Sequence, residues 1–158
     1  MTSKRFVDLY YEDVDIGDTF DTASHTVTHD DIMGFAHVTL DHHPLHTDPE
    51  FCARTEFGRP IAHGLYGLSL MEGLKAQSKM YENTSIASLG WDKVRFLKPL
   101  FPDDTVFARV TFIDKHLSRS GRGIVTERCE LINDKGEMVI SSEHVSMLKL
   151  REAEAAKV

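Results

Sequence analysis

Gly64-Leu65-Tyr66-Gly67-Leu68-Ser69-Leu70-Met71-Glu72-Gly73-Leu74 is the stretch on which the fold turns. Its apolar residues cover most of a helical circumference, so the spacing predicts a helix that belongs inside the protein. Each glycine in it lowers helix propensity by roughly 1 kcal/mol relative to alanine, which predicts that something packs closely against the helix backbone. A sheet wrapped tightly around the helix would do so, and the chain downstream supplies one. Strands are predicted over 87–97, 105–115, 123–132 and 138–150. Asn133-Asp134-Lys135-Gly136 is a hairpin turn between the last two, and Pro99 with Pro102-Asp103-Asp104 makes an earlier loop.

Upstream, Asp15-Ile16-Gly17-Asp18 reads as a turn before a strand at 19–28. Thr28-His29-Asp30-Asp31 has the form of a capping box and opens a short helix to about Val38. Thr47-Asp48-Pro49-Glu50 reads as an N-cap followed by proline near the first helical position, opening another short helix through about Arg54. Phe57-Gly58-Arg59-Pro60 is a turn. The order of elements gives an α+β fold, an antiparallel sheet curled around a central apolar helix. One domain is expected over 1–150, followed by a charged tail, 151–158, that frays.

The chain has 158 residues, 41% hydrophobic and 27% charged, the composition of an ordinary globular domain. A net charge of −7 argues against a nucleic-acid partner, which needs a basic face. It leaves room for a phosphorylated small ligand held by a few local basic residues, since screening confines such contacts to about 8 Å. No run approaches the roughly 20 apolar residues that span a bilayer, and the first residues lack a secretory signal pattern, so no membrane association and a cytoplasmic location are expected. Cys52 and Cys129 are too few for a disulfide scaffold and are read as buried, inert thiols.

The chemistry points to Asp41-His42-His43-Pro44-Leu45-His46, followed by Ile61-Ala62-His63-Gly64 at the mouth of the central helix. Pro44 keeps a helix from carrying Asp41 and His46 apart, so an acidic and a basic group can converge on one small target. Spacing alone leaves open a structural hydrogen bond between them. Seven of the nine histidines fall between His25 and His63, which raises a metal site from His42, His43 and His46 with Asp41 or Asp48. Pro44 disrupts the helical face that common two-histidine sites use, so no metal is expected. His63 is read as a packed, hydrogen-bonded neighbour of the site. Glu72 is read either as lying at the exposed edge of its helix or as a buried carboxylate needing a partner.

These residues resemble the MaoC-like dehydratase family, the R-specific enoyl-CoA hydratases, which have the hot-dog fold. The family's Gly-Asp-x-Asn-Pro-apolar-His-x-Asp motif stands here as Leu40-Asp41-His42-His43-Pro44-Leu45-His46-Thr47-Asp48. Arg59-Pro60-Ile61-Ala62-His63-Gly64 matches a second block, and Val94 to Asp104 looks like the family's strand and turn. The sequence departs from the pattern at Leu40, where Gly is usual, and at His43, where Asn is usual; Glu72 aligns with a frequent serine.

The resemblance implies hydration of a 2-enoyl-CoA, or dehydration of an (R)-3-hydroxyacyl-CoA. Asp41 and His46 would activate one water and the Gly64 N–H would polarise the thioester carbonyl, aided by that residue's missing Cβ. No cofactor is implied, because CoA enters as part of the substrate; acyl carrier protein is the other possible carrier. Leu40, His43, His63, Arg59 and Lys98 are the substrate-binding candidates, with Lys93, Arg95 and Arg122 further phosphate contacts. A homodimer or higher homo-oligomer is implied, with the acyl chain between subunits. The alternatives are a hot-dog acyl-CoA thioesterase and a non-catalytic acyl-CoA-binding subunit.

Overall fold

The computed structural model describes residues 6–152. In chain order it has β1 (Thr19–Asp21), β2 (His25–Thr26), α1 (His29–Thr39), α2 (Pro44–Thr47), α3 (Pro49–Cys52), α4 (Gly64–Gln77), β3 (Ser85–Phe96), β4 (Thr105–Leu117), β5 (Gly123–Asn133) and β6 (Met138–Leu148). The strands form one antiparallel sheet in the order β1-β4-β5-β6-β3, with β2 also on β4. Alternate residues of β4, Val106, Ala108, Val110 and Phe112, face inward, and they share a core with Tyr66, Met71 and Leu74 of α4. The sheet therefore curls around α4, as the sequence predicts.

The close approach predicted for the helix glycines holds at two of them. A Cβ on Gly67 would meet Ile140 Cδ1 at 2.6 Å, and one on Gly64 would meet the Phe96 ring at 2.7 Å. Gly73 has nothing within 4 Å of such a Cβ, because it lies on a face that the sheet leaves open. That face corrects the expectation of an enclosed helix. Leu65 is 60% exposed, and Ser69, Gly73 and Ala76 are also exposed at helical spacing.

Two boundaries differ from expectation. The strand at 19–28 splits into β1 and β2 because the Thr22 hydroxyl, 3.0 Å from the Ala108 N–H, takes the place of a ladder carbonyl. Pro44 begins a helical turn rather than irregular chain, since its missing N–H costs nothing at the first helical position. α3 begins as the sequence predicts, with Asp48 as the N-cap before Pro49, its Oδ1 accepting from Glu50 N at 2.9 Å and Phe51 N at 3.1 Å. The tail expected over 151–158 lies outside the described residues except for Arg151 and Glu152. Arg151 is tied down by the Asp13 carboxylate at 2.5 Å.

Candidate active site

α1 ends on Leu40, whose φ of 64° places it in the left-handed region usually left to glycine. That reversal brings the chain round to Asp41. His43 caps α2 by accepting from Leu45 N at 3.1 Å, and one turn later α2 presents His46. Two backbone bonds strap the segment before α4 to its surroundings, Ile61 N to the Leu45 carbonyl at 3.0 Å and Ala62 N to the Leu100 carbonyl at 2.7 Å. The two motifs, separated in sequence, are thus held side by side.

His46 Nδ1 lies 2.7 Å from the Ile61 carbonyl. A carbonyl only accepts, so the ring proton sits on Nδ1 and a neutral His46 offers a lone pair at Nε2. Burial pushes the His46 pKa below the usual imidazole value, with nearby His63 adding to that effect and the Ile61 bond and Asp41 opposing it. His63 is 3% exposed. It donates from Nε2 to the main-chain carbonyl of Asp41 at 2.9 Å, lies 4.0 Å from the Asp41 carboxylate and stacks on His46 with ring centroids 3.7 Å apart. Its Nδ1 is a buried nitrogen without a hydrogen-bond partner among the described residues.

One nitrogen or carboxylate oxygen from each of Asp41, His46 and His63 lies within 4.8 Å of the others. This is a ligand set by residue type, in which each ring donates from one nitrogen to a carbonyl and keeps the other free. A single water also suits the spacing. Two groups each about 2.8 Å from one water can stand up to about 5.6 Å apart.

Asp41, His46, His63 and Gly64 all line one cavity of about 430 Å³, whose remaining wall is largely apolar, from Phe57, Phe96 and Ile140 among others. Gly64 and Leu65, the first two residues of α4, line it, and N–H groups at a helix start have no intrahelical acceptors. The space beside Gly64 is filled by the Phe96 ring, which gives the missing Cβ its packing reason. Lys98 also lines the cavity and pairs with Glu137. Leu40, His43 and Arg59 do not: Leu40 is 81% exposed, His43 is used as a cap, and Arg59 lies 4.5 Å over the Phe101 ring. Lys93 pairs with Glu143 at 2.9 Å, Arg95 bonds the Val94 carbonyl at 2.8 Å, and Arg122 is exposed. Both cysteines are buried, and burial raises their pKa values.

A second polar cluster, which sequence reading missed, sits toward the other end of α4. The buried Lys75 ammonium lies 2.5 Å from Glu127 Oε2, 2.9 Å from His144 Nδ1 and 3.2 Å from Glu72 Oε2. Tyr81 donates to Glu127 Oε1 at 2.5 Å, and Trp91 stacks on His144 at 4.3 Å. Glu127 is fully buried, which alone would raise its pKa, yet Lys75, His144 and Tyr81 bring it down to about 2. The signal was present in period two: Glu127 alternates with Val125 and Cys129, and His144 with Ser142 and Ser146, all inward. Glu72 is half-exposed at the edge of its helix, which settles its sequence reading in favour of the exposed edge, and it pairs with Lys75.

The MaoC like domain family model matches residues 13–133. Among curated relatives, an uncharacterized protein, YdeM, of Bacillus subtilis is 33% identical, the match covering 85% of this chain and 94% of that one. The (R)-specific enoyl-CoA hydratase of Aeromonas caviae is 32% identical over 75% of this chain and 84% of its own. Of solved structures, a monoamine oxidase regulatory protein from Archaeoglobus superposes with a TM-score of 0.85 at 36% identity, covering 90% of this chain and 95% of that one. A Mycobacterium tuberculosis protein with a double hot-dog fold gives 0.77 at 22% identity over 90% of this chain and 44% of its own. The fold is the hot-dog fold. No described helix is long and apolar enough to cross a membrane.

Proposed function

The chain belongs to the MaoC-like dehydratase family, a family of hydratases and dehydratases, and from that premise we propose that it adds water to a 2-enoyl-CoA or removes it from an (R)-3-hydroxyacyl-CoA. The observation that carries the reading is one cavity in which Asp41, the free Nε2 of His46 and the open first turn of α4 face the same space. Each part meets one requirement of the reaction.

A water between Asp41 and His46 donates one hydrogen to the carboxylate and the other to Nε2, which leaves an oxygen lone pair for C3 of the enoyl group. As the C–O bond forms, one of those protons passes to the pair, and the C2–C3 π electrons move toward the thioester oxygen. In this reading the Gly64 and Leu65 N–H groups stabilise that enolate oxygen, a role in which one donor is worth about 10²–10³ in rate. The pair then returns a proton to C2, so water is added without net proton change. The reverse sequence expels water from the 3-hydroxyacyl thioester. The protein's own groups suffice for each step, so the proposal includes no cofactor or metal.

A homodimer in the cytoplasm is part of the same reading. The open face of α4 and the edge strand β3 expose Leu65, Ile86, Leu89, Phe96 and Leu97, apolar surface of the kind a second copy would cover. Crotonyl-CoA provides the test. The conjugated enoyl thioester's ultraviolet absorbance should fall on adding the protein, with no free CoA detected by a thiol-reactive dye. Release of CoA instead would make the protein a thioesterase, and binding without either change would make it an acyl-CoA-binding subunit.

A further inference from the structure

His63 occupies the N-cap of α4, a position where a side chain ordinarily accepts from N–H groups of the first turn. The His63 side chain makes no such bond. His43, at the N-cap of α2, shows that a histidine can do so, since its Nδ1 accepts from Leu45 N at 3.1 Å. The His63 ring serves other parts of the chain. Its Nε2 donates to the Asp41 carbonyl at 2.9 Å, its ring stacks on His46 with centroids 3.7 Å apart, and Phe35 of α1 packs beside it at 5.0 Å. One side chain thus joins the start of α4 to both Asp41 and His46.

Packing alone does not account for a histidine here. The ring is buried and its Nδ1 has no hydrogen-bond partner among the described residues, a loss of stability that a phenylalanine of similar shape would not incur. What phenylalanine cannot supply is the Nε2 proton. That proton goes to a segment with few other ties. Asp41 and His42 follow the left-handed Leu40, and the other hydrogen bonds around them are local and longer. They run from Asp41 N to Thr39 Oγ1 at 3.4 Å, His42 N to the Leu40 carbonyl at 3.2 Å, His43 N to Asp41 Oδ1 at 3.3 Å and Thr47 Oγ1 to the His42 carbonyl at 3.2 Å. Among the described residues, only the His63 bond ties Asp41 or His42 to chain beyond 39–47. The Asp41 side chain is half-exposed, so its surroundings do not fix it by packing.

We propose that His63 is a positioning residue of the site: its Nε2–H anchors the Asp41 main chain and its ring supports His46, which keeps the carboxylate and His46 Nε2 at a separation one water bridges. The inference rests on the hydratase reading, and His63 acts through Asp41 and His46 rather than on the substrate. Crotonyl-CoA hydration and melting curves are measured for wild type, His63→Phe and His63→Gln. Phenylalanine keeps a ring and loses the donor, whereas glutamine keeps an N–H donor at about the same reach and loses the ring. His63→Phe should lower kcat by about 10²-fold, the cost of displacing a reacting group by about 1 Å, with KM within about threefold and the melting temperature not lowered. His63→Gln should recover at least about tenfold of that loss. A His63→Phe kcat within about threefold of wild type overturns the proposal, as does a His63→Gln protein no faster than His63→Phe. A loss confined to KM would make His63 a substrate contact, and a melting temperature that falls with activity would make its role structural; either result overturns the proposal. An active wild type whose turnover ignores the donor removes only this role, whereas a wild type silent on crotonyl-CoA removes the hydratase reading and the role with it.

Discussion

The two ends of α4 hold polar groups in opposite conditions. At the N-terminal end, His46 Nε2 and the first turn of α4 border a cavity, and His63 Nδ1 is buried without a partner among the described residues. Toward the C-terminal end, Lys75 makes three polar contacts and Glu127 is engaged by Lys75 and Tyr81. Unsatisfied polar groups in a folded protein cost stability unless a ligand or water completes them, so the open end is where chemistry belongs. The satisfied end is structural: its charges are spent on one another.

The contrast can be broken from either side. His46→Gln removes the open nitrogen and should cut turnover by about 10²–10⁴-fold while leaving thermal unfolding nearly unchanged, measured by kcat and a melting curve. Lys75→Met does the opposite kind of damage. It strands Glu127 in the core and should cost about 3–5 kcal/mol of unfolding free energy in a denaturant titration. Melting curves for these two variants that moved together would erase the distinction between the ends.

Acid should separate the ends in one sample. His46 must be neutral to accept from water, and its lowered pKa keeps it neutral somewhat below the usual value near 6.5, so activity should fail only under that pH. Glu127 behaves differently because its folded pKa is depressed. The stability it contributes is present above its unfolded value near 4.5 and is lost as pH falls through its folded value of about 2. Activity and circular dichroism followed together should show a reversible, folded and inactive protein between those limits. A smaller effect is expected at Leu40. Its left-handed backbone costs about 1–2 kcal/mol in a non-glycine residue, so Leu40→Gly should raise the unfolding free energy by about 1 kcal/mol.

How much of this was legible depends on how local the signal is. Pro44, the His63-Gly64 pair and the apolar helix are punctuation within short stretches, and they were enough to place Asp41, His46 and α4 around one site. The strands from 85 onward were legible by alternation and by the Asn133–Gly136 turn, where Gly136 has φ of 76°. The Lys75 cluster was not, because its members are far apart in sequence, Lys75 and His144 by 69 residues. A lysine one turn after Met71 gives no sign that it points inward until β5 and β6 supply partners. The open face of α4 was missed for a related reason: Leu65 and Gly73 look apolar or small enough for a core, and only the sheet's curvature decides which side it covers. Leu40 and His43 were read as pocket residues from their place in the motif, whereas the backbone uses one as a helix stop and the other as a cap.

The central claim is that Asp41 and His46 activate water at the N-terminal end of α4, and the comparison of wild type with Asp41→Asn on crotonyl-CoA tests it most directly. The substitution keeps the side chain's shape and removes its charge. Loss of kcat/KM by about 10²-fold or more, with an unchanged melting temperature, is the result predicted. Turnover equal to wild type in a folded Asp41→Asn protein would contradict the account.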